Sequence, residues 1–224
     1  MIVRLWLLAM SASVCISLQP AQRGTAGTLG IFTGSTDVGI PSTIGPGSAT
    51  YDEAARTYTI RGGGENMWAT ADHFHYVWKK VSGDVTLAAT IAFVDSTPET
   101  GTPDRHRKAC LVIRQSLDAD SVYADAALHG DGLTSLQWRD AKGAITREVQ
   151  ASITKPARLQ IEKRGNTISI SAAAAGAELS PTGGSATVEL NGEFYVGLGV
   201  TAHNSGRLET VTFSKVELVT PESR

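Results

Sequence analysis

Along most of this chain apolar residues recur at every second position. The run "VTLAATIAFV" puts Leu87, Ala89, Ile91 and Phe93 on one side and Thr86, Ala88, Thr90 and Ala92 on the other, because successive side chains of a strand point to opposite faces. The same period runs through "ACLVIRQS", "SVYADAALH", "LTSLQWR" and "FYVGLGVTAH". It assigns Leu111, Ile113, Ala124, Ala126, Leu128, Leu136, Trp138, Phe194, Val196, Leu198 and Val200 to a core. In "HFHYVW" the same reasoning puts Phe74, Tyr76 and Trp78 inside and His73 and His75 on the opposite face.

Turn signals punctuate these runs: "RGGGEN", "SGD", "HGDG", "AKGA", "KRGN", "PTGGS", "NGE" and "HNSGR". No window carries the 3.6-residue apolar period of an amphipathic helix. Many short strands without helical crossovers predict an all-β fold, two antiparallel sheets packed as a sandwich or jelly roll. With 224 residues and 42% hydrophobic content, one core is enough, and a single domain is expected over residues 50–220. Residues 23–49, rich in Gly, Ser, Thr and Pro, read as an irregular N-terminal arm.

Residues 1–22 differ from the rest. They carry one positive charge at Arg4 and an apolar run diluted by Ser11, Ser13 and Ser17, and no acid precedes Asp37. This is the pattern of a secretory signal peptide, too short to span a bilayer. A secreted or periplasmic location is expected, with no membrane span after cleavage. Cys15 follows "SASV", a weak match to a lipid-attachment box. Cleavage beyond it leaves Cys110 without a partner, so no intramolecular disulfide is expected; the run "ACLVI" marks Cys110 as a buried small hydrophobe. Twenty basic against 22 acidic residues give a net charge of -2, which argues against nucleic acid as a partner.

Strand phase also defines a second face. His75, Arg114, Tyr123, Asp125, His129, Gln137, Arg139, Tyr195 and His203 fall opposite the core positions, with Gly197 and Gly199 among them. A solvated sheet face would show a Lys, Glu and Ser mixture instead. If these strands share one curved sheet, the set forms a polar, aromatic-bearing groove, with Asp131 in the "HGDG" turn at its lip. The alternative is a salt-bridged face in which Asp125 pairs with Arg114.

The segments "ATYDEAARTYTIRGGGENMW", "ADHFHYVWKKVSGD", "HRKACLVIRQSLDADSVYADAALHGDGLTSLQWR" and "GLGVTAHN" resemble secreted bacterial laminin-G-like or concanavalin A-like domains, of the kind linked to TolB-type propellers. The "GD" and "VIRQS" regions are also similar to the family called regulation of enolase protein. The resemblance implies a two-sheet jelly roll, with carbohydrate binding suggested by fold kinship alone and a propeller-type protein as a conceivable partner.

Chemistry narrows the reading. Jelly-roll glucanases place their carboxylates as E-x-D-x-E on one strand; that motif is missing, so no catalytic residue is assigned, and Asp125 with Asp131 is the sole candidate acid and base pair. Asp72, His73 and His75 in "DHFH" lie close enough in sequence to consider a metal, with His129 or His203 completing the set. A strand motif held by hydrogen bonds explains them more simply. Structural calcium suits such a fold, but no D-x-D-x-D loop marks its ligands, and no cofactor is assigned. The leading expectation is a non-catalytic module that binds a glycan or small polar ligand. Trp68, Tyr123 and Tyr195 would offer stacking faces, and the Arg, Asp, His and Gln side chains would read hydroxyls. A glycoside hydrolase or lyase with an unusual site, and an envelope protein-interaction domain, are the alternatives.

Mass spectrometry of the exported protein should find its first residue between positions 17 and 27, and reductant should leave the melting temperature of the monomer unchanged. Intact Met1 on a cytoplasmic protein would contradict the signal-peptide reading; a reductant-sensitive melting temperature would contradict the cysteine reading.

Overall fold

The computed structural model describes residues 29–40, 42–94 and 102–221. The expected signal peptide and Cys15 lie outside them. Two seven-stranded antiparallel sheets face each other. The first runs in the order β1 (Gly34–Val38), β6 (Phe74–Ser82), β15 (Glu193–Thr201), β8 (Lys108–Arg114), β9 (Tyr123–His129), β10 (Thr134–Arg139), β11 (Arg147–Gln150). The second runs β14 (Ser180–Thr187), β13 (Thr167–Ala173), β12 (Arg158–Arg164), β7 (Val85–Phe93), β16 (Asn204–Val219), β3 (Thr57–Gly64), β2 (Ser48–Asp52). A separate two-stranded ribbon joins β4 (Met67–Trp68) to β5 (Ala71–Asp72). The chain is a two-sheet antiparallel sandwich of the jelly-roll kind. Among the described residues no helix is long and apolar enough to cross a membrane.

The core lies between the sheets. Leu111, Ile113, Ala124, Ala126, Leu136, Phe194, Val196, Leu198 and Val200 of the first sheet meet Tyr58, Ile60, Leu87, Ala89, Ile91, Leu159, Ile161, Val211 and Phe213 of the second. Each fully buried Leu, Ile or Phe contributes about 1.5–3 kcal/mol relative to exposure. Cys110 is a free, buried cysteine.

The faces follow the sequence pattern with one exception. In β6 it is Val77 and Val81 that enter the inter-sheet core, whereas Phe74 and Tyr76, with Trp78 packed alongside, belong to a second apolar cluster with Val38, Met67, Cys110, Val112 and Tyr123. The outer face of the first sheet is itself covered, so large aromatics there no longer mark the inter-sheet side. His75 accordingly points away from that outer face. Its Nδ1 lies 2.8 Å from Asp37 Oδ1 and its Nε2 lies 2.8 Å from Ser35 Oγ, which clips β1 onto β6.

Three stretches without alternation also form strands. The segment expected to be an irregular arm supplies β1, an edge of the first sheet, and the first two residues of β2, an edge of the second. "PTGGS" lies within β14, and "HNSGR" contributes to the start of β16, where the register with β3 shifts between Asn204 and Glu209. Backbone pairing along an edge needs no buried side chain every second residue, which is why pattern reading passes over such segments.

Candidate functional site

The outer face of the first sheet is built of rows that cross its strands. Tyr195, Arg114, Tyr123 and Arg139 pair in register, and the next row holds Gly197, Val112, Asp125, Gln137 and Glu148. Beyond it come Gly199, Cys110, Ala127, Ser135 and Gln150, then Thr201, Lys108 and His129.

The first row is sealed by the β4–β5 ribbon. Asp72 is fully buried; its carboxylate accepts from Arg139 Nη1 at 3.0 Å and Nη2 at 2.9 Å, and Arg114 Nη1 lies 3.5 Å away. The other donors of Arg139 reach the carbonyls of Ala144 (2.9 Å), Ser121 (3.0 Å) and Ala69 (3.2 Å). Arg114 donates to the carbonyls of Ser116 and Asp118 at 2.6 and 2.5 Å. Backbone bonds complete the seam, Asp72 N to Ala119 O and Thr146 N to Ala69 O, both 2.8 Å. Arg139 also lies over the Tyr123 ring, 4.9 Å from its centre. Burial raises the Asp72 pKa against the pull of Arg139 and Arg114.

The other end of the face stays open. A hollow of about 360 Å3 is lined by Asn66, Trp68, His106, Lys108, His129, Leu133, Gln137, Glu148, Gln150 and His203. Its wall is the outer side of the pinned ribbon, where Trp68 is 37% exposed. Its floor is a hydrogen-bonded ladder. Lys108 Nζ donates to Met67 O at 2.8 Å and to Gln137 Oε1 at 3.0 Å, Gln137 Nε2 donates to Glu148 Oε1 at 3.0 Å, and Gln150 Nε2 donates to Glu148 Oε2 at 3.0 Å. Because Lys108 offers only donors, the ladder fixes which way the Gln137 amide points. The imidazoles of His106, His129 and His203 complete the rim, with His106 5.5 Å from His203 and 6.3 Å from His129 between ring centres.

Burial sets the charges. Burial pushes the Asp125 carboxyl up to about 8, with Lys108 opposing; both oxygens lack hydrogen-bond partners and the residue is 0% exposed. Burial lowers the Lys108 pKa, opposed by Asp125. Burial and then Lys108 lower His129 to about 4, so at neutral pH its ring is uncharged and its Nδ1, 3.1 Å from Leu133 O, carries the proton. Burial pushes Glu148 up, but hydrogen bonds from Gln137, Gln150 and Ser135 outweigh it and the net shift is downward. Glu148 is therefore ionised.

Of the residues that the sequence singled out, Trp68, His129, Gln137 and His203 line the hollow. Asp125 lies beneath it. Arg114, Tyr123 and Arg139 are wholly buried under the ribbon, and Arg114 pairs with Asp72 rather than with Asp125. Tyr195 packs edge-on against Trp78 outside the hollow, with ring centres 5.0 Å apart. Asp131 sits in the β9–β10 turn, tied to Arg105 at 3.0 Å and to Leu133 N at 3.1 Å. The positive φ of Gly132, 95°, suits that tight turn to glycine. His73 accepts from Ile40 N at 2.8 Å. Among the described residues no group of three or more His, Cys, Asp and Glu is placed to hold a metal ion. Lys108, Glu148, Gln150, Asn66, His106 and Leu133 enter the site without having been singled out. Lys108 shares the phase of Arg114 in "KACLVIR" and was legible there; Glu148 and Gln150 depend on the β10–β11 register.

Fold and hollow together define a jelly-roll sandwich with one half-capped outer face. No protein-family model matches the chain, and no curated protein does. Among solved structures, a functionally unknown protein from Saccharomyces cerevisiae is similar with a TM-score of 0.61 and 14% identity, over 84% of this chain and 96% of that one. The GH43 protein BlXynB from Bacillus licheniformis gives 0.51 and 11%, over 80% of this chain and 38% of that one. The Bacteroides ovatus xyloglucan PUL GH43B gives 0.50 and 14%, over 73% and 32%. The chain thus spans well under half of either GH43 protein. These likenesses show the fold, and the propeller-linked and enolase-regulation resemblances draw no support from them.

The Asp125 shift has a measurable sign. An unfolded Asp loses its proton near pH 3.9, whereas the folded carboxyl keeps it to about pH 8, so this group's contribution falls as pH rises between those values. His129, lowered to about 4, has the opposite slope up to about pH 6.5 and none above it. Urea titrations should therefore show wild type losing about 1–2 kcal/mol relative to Asp125→Asn between about pH 6.5 and 8. A constant difference between the two proteins across that window would contradict the protonated carboxyl.

Proposed function

We propose that the protein is an exported saccharide-binding module and that the half-open hollow is its binding site. One observation carries the reading: the exposed Trp68 ring stands as a wall beside a floor of oriented polar groups, Lys108, Gln137, Glu148 and Gln150. A sugar ring has an apolar face and a hydroxyl edge, and an aromatic wall beside fixed donors and acceptors matches both. The ladder supports this, because its members are held in place before a ligand arrives and lose little freedom on binding. Two structures of similar fold carry GH43 in their names, one of them with xyloglucan, and a sugar ligand agrees with both. The site is read as non-catalytic: Glu148 is the ionised carboxylate in the hollow, and Asp125 is sealed below the floor.

Calorimetry against a panel of soluble oligosaccharides tests the proposal. At least one should bind, and Trp68→Ala should weaken it by about tenfold or more while changing stability by no more than about 0.5 kcal/mol, as for other exposed positions. Unchanged affinity in Trp68→Ala would remove the hollow as the site.

A further inference from the structure

The buried charges on the outer face of the first sheet are unevenly matched. Arg114 and Arg139, both fully buried, share the carboxylate of Asp72. Among the described residues Lys108, 2% exposed, forms no ion pair; its two hydrogen-bond acceptors, Met67 O and Gln137 Oε1, are neutral, as is the Trp68 ring it faces. Glu148, the ionised acid of the hollow, is engaged by the Gln137 and Gln150 amides rather than by the ammonium. Asp125 acts on the ammonium through its charge but shares no hydrogen bond or salt bridge with it. An ammonium taken out of water is costly unless an anion accompanies it. Among the described residues of this face Lys108 is the buried cation with no salt bridge, and it also lines the open hollow; an ammonium with two bonds made retains a third donor.

We propose that the anion completing this site belongs to the ligand: the hollow takes an acidic saccharide, whose sugar carboxylate sits against Lys108 while its ring stacks on Trp68. This rests on the saccharide-binding reading and narrows it. Three further features favour a carboxylate over a neutral sugar. The His106 and His203 imidazoles on the rim each carry a ring N–H able to donate to an anion. The Asn66 and Gln150 side chains on the lining carry amide donors. Asp125, pushed up to about 8 by burial, keeps its proton beneath the floor at neutral pH, so the ionised acid that faces the hollow is Glu148, whose oxygens the Gln137 and Gln150 amides engage.

The test separates charge from shape. Galacturonate and glucuronate oligosaccharides are titrated calorimetrically against the full mature protein, beside the same oligosaccharides with every carboxylate methyl-esterified and beside uncharged gluco-oligosaccharides. The free acid of at least one series should bind about tenfold more tightly than its ester, a difference of about 1.4 kcal/mol, and added salt should shrink that ratio. Lys108→Met, which keeps the stem and removes the charge, should bring acid and ester to similar affinity. The wild-type comparison stands even if that variant fails to fold. Equal or tighter binding of esters or neutral sugars would overturn the acidic ligand and leave the saccharide module intact. Binding of none of these sugars would overturn both.

Discussion

The salt bridge between Asp72 and Arg139, with Arg114 beside it, is the constraint on which the outer face of the first sheet depends. Taking three charged groups out of water is costly, and the cost is offset only when their hydrogen-bonding capacity is met. For Arg139 it is met, its donors reaching the Asp72 carboxylate and carbonyls of the ribbon turn and of two loops beside it, while Arg114 Nη1 makes no hydrogen bond and lies 3.5 Å from the carboxylate. Each of those loops is held by the same guanidinium. The interaction therefore acts less as a source of net stability than as a register pin, fixing where a two-stranded ribbon lies across a seven-stranded sheet.

The division of that face follows from the pin. On the Asp72 side the polar row is sealed; on the other side the ribbon ends in Trp68, which faces Lys108 with the ammonium 5.4 Å from the ring centre. Ribbon, lysine and Gln137 amide are thus linked in one chain of contacts from the buried ion pair to the hollow. The Lys108 ammonium lies on the open side, where a ligand or solvent can still meet it, whereas Asp125 is sealed beneath the floor and the two guanidiniums of the sealed side share the Asp72 carboxylate.

The sandwich and most of its faces were legible because an alternating pattern with one face buried specifies register strongly. Leu111, Ala126, Leu136 and Leu198 are examples in the core. The phase of β6 was not legible, since both of its faces are covered and the sequence does not say that Phe74 and Tyr76 pack beneath the ribbon and its neighbours. The same blindness led Arg114, Tyr123 and Arg139 to read as groove residues. Alternation separates one face from the other but does not reveal a cap arriving from elsewhere in the chain. Asp72 was noticed only as a possible metal ligand; its real partners are 42 and 67 residues away in sequence. Trp68, His129, Gln137 and His203 line the hollow, but the ladder through Lys108 and Glu148 required the strand register.

The measurement that bears most directly on this account is hydrogen exchange on Asp72→Ala. Removing the carboxylate leaves two buried guanidiniums without a counter-charge, a change that costs about 3–5 kcal/mol for a buried pair. The account predicts that amides of the ribbon and of its two clamping loops, including Asp72, His73, Gly143 and Thr146, whose bonds form the seam, lose protection first, while the inter-sheet core stays slow. Uniform loss of protection over the sandwich, or ribbon amides as protected as in wild type, would show that the ribbon is held by something other than the Asp72 ion pair.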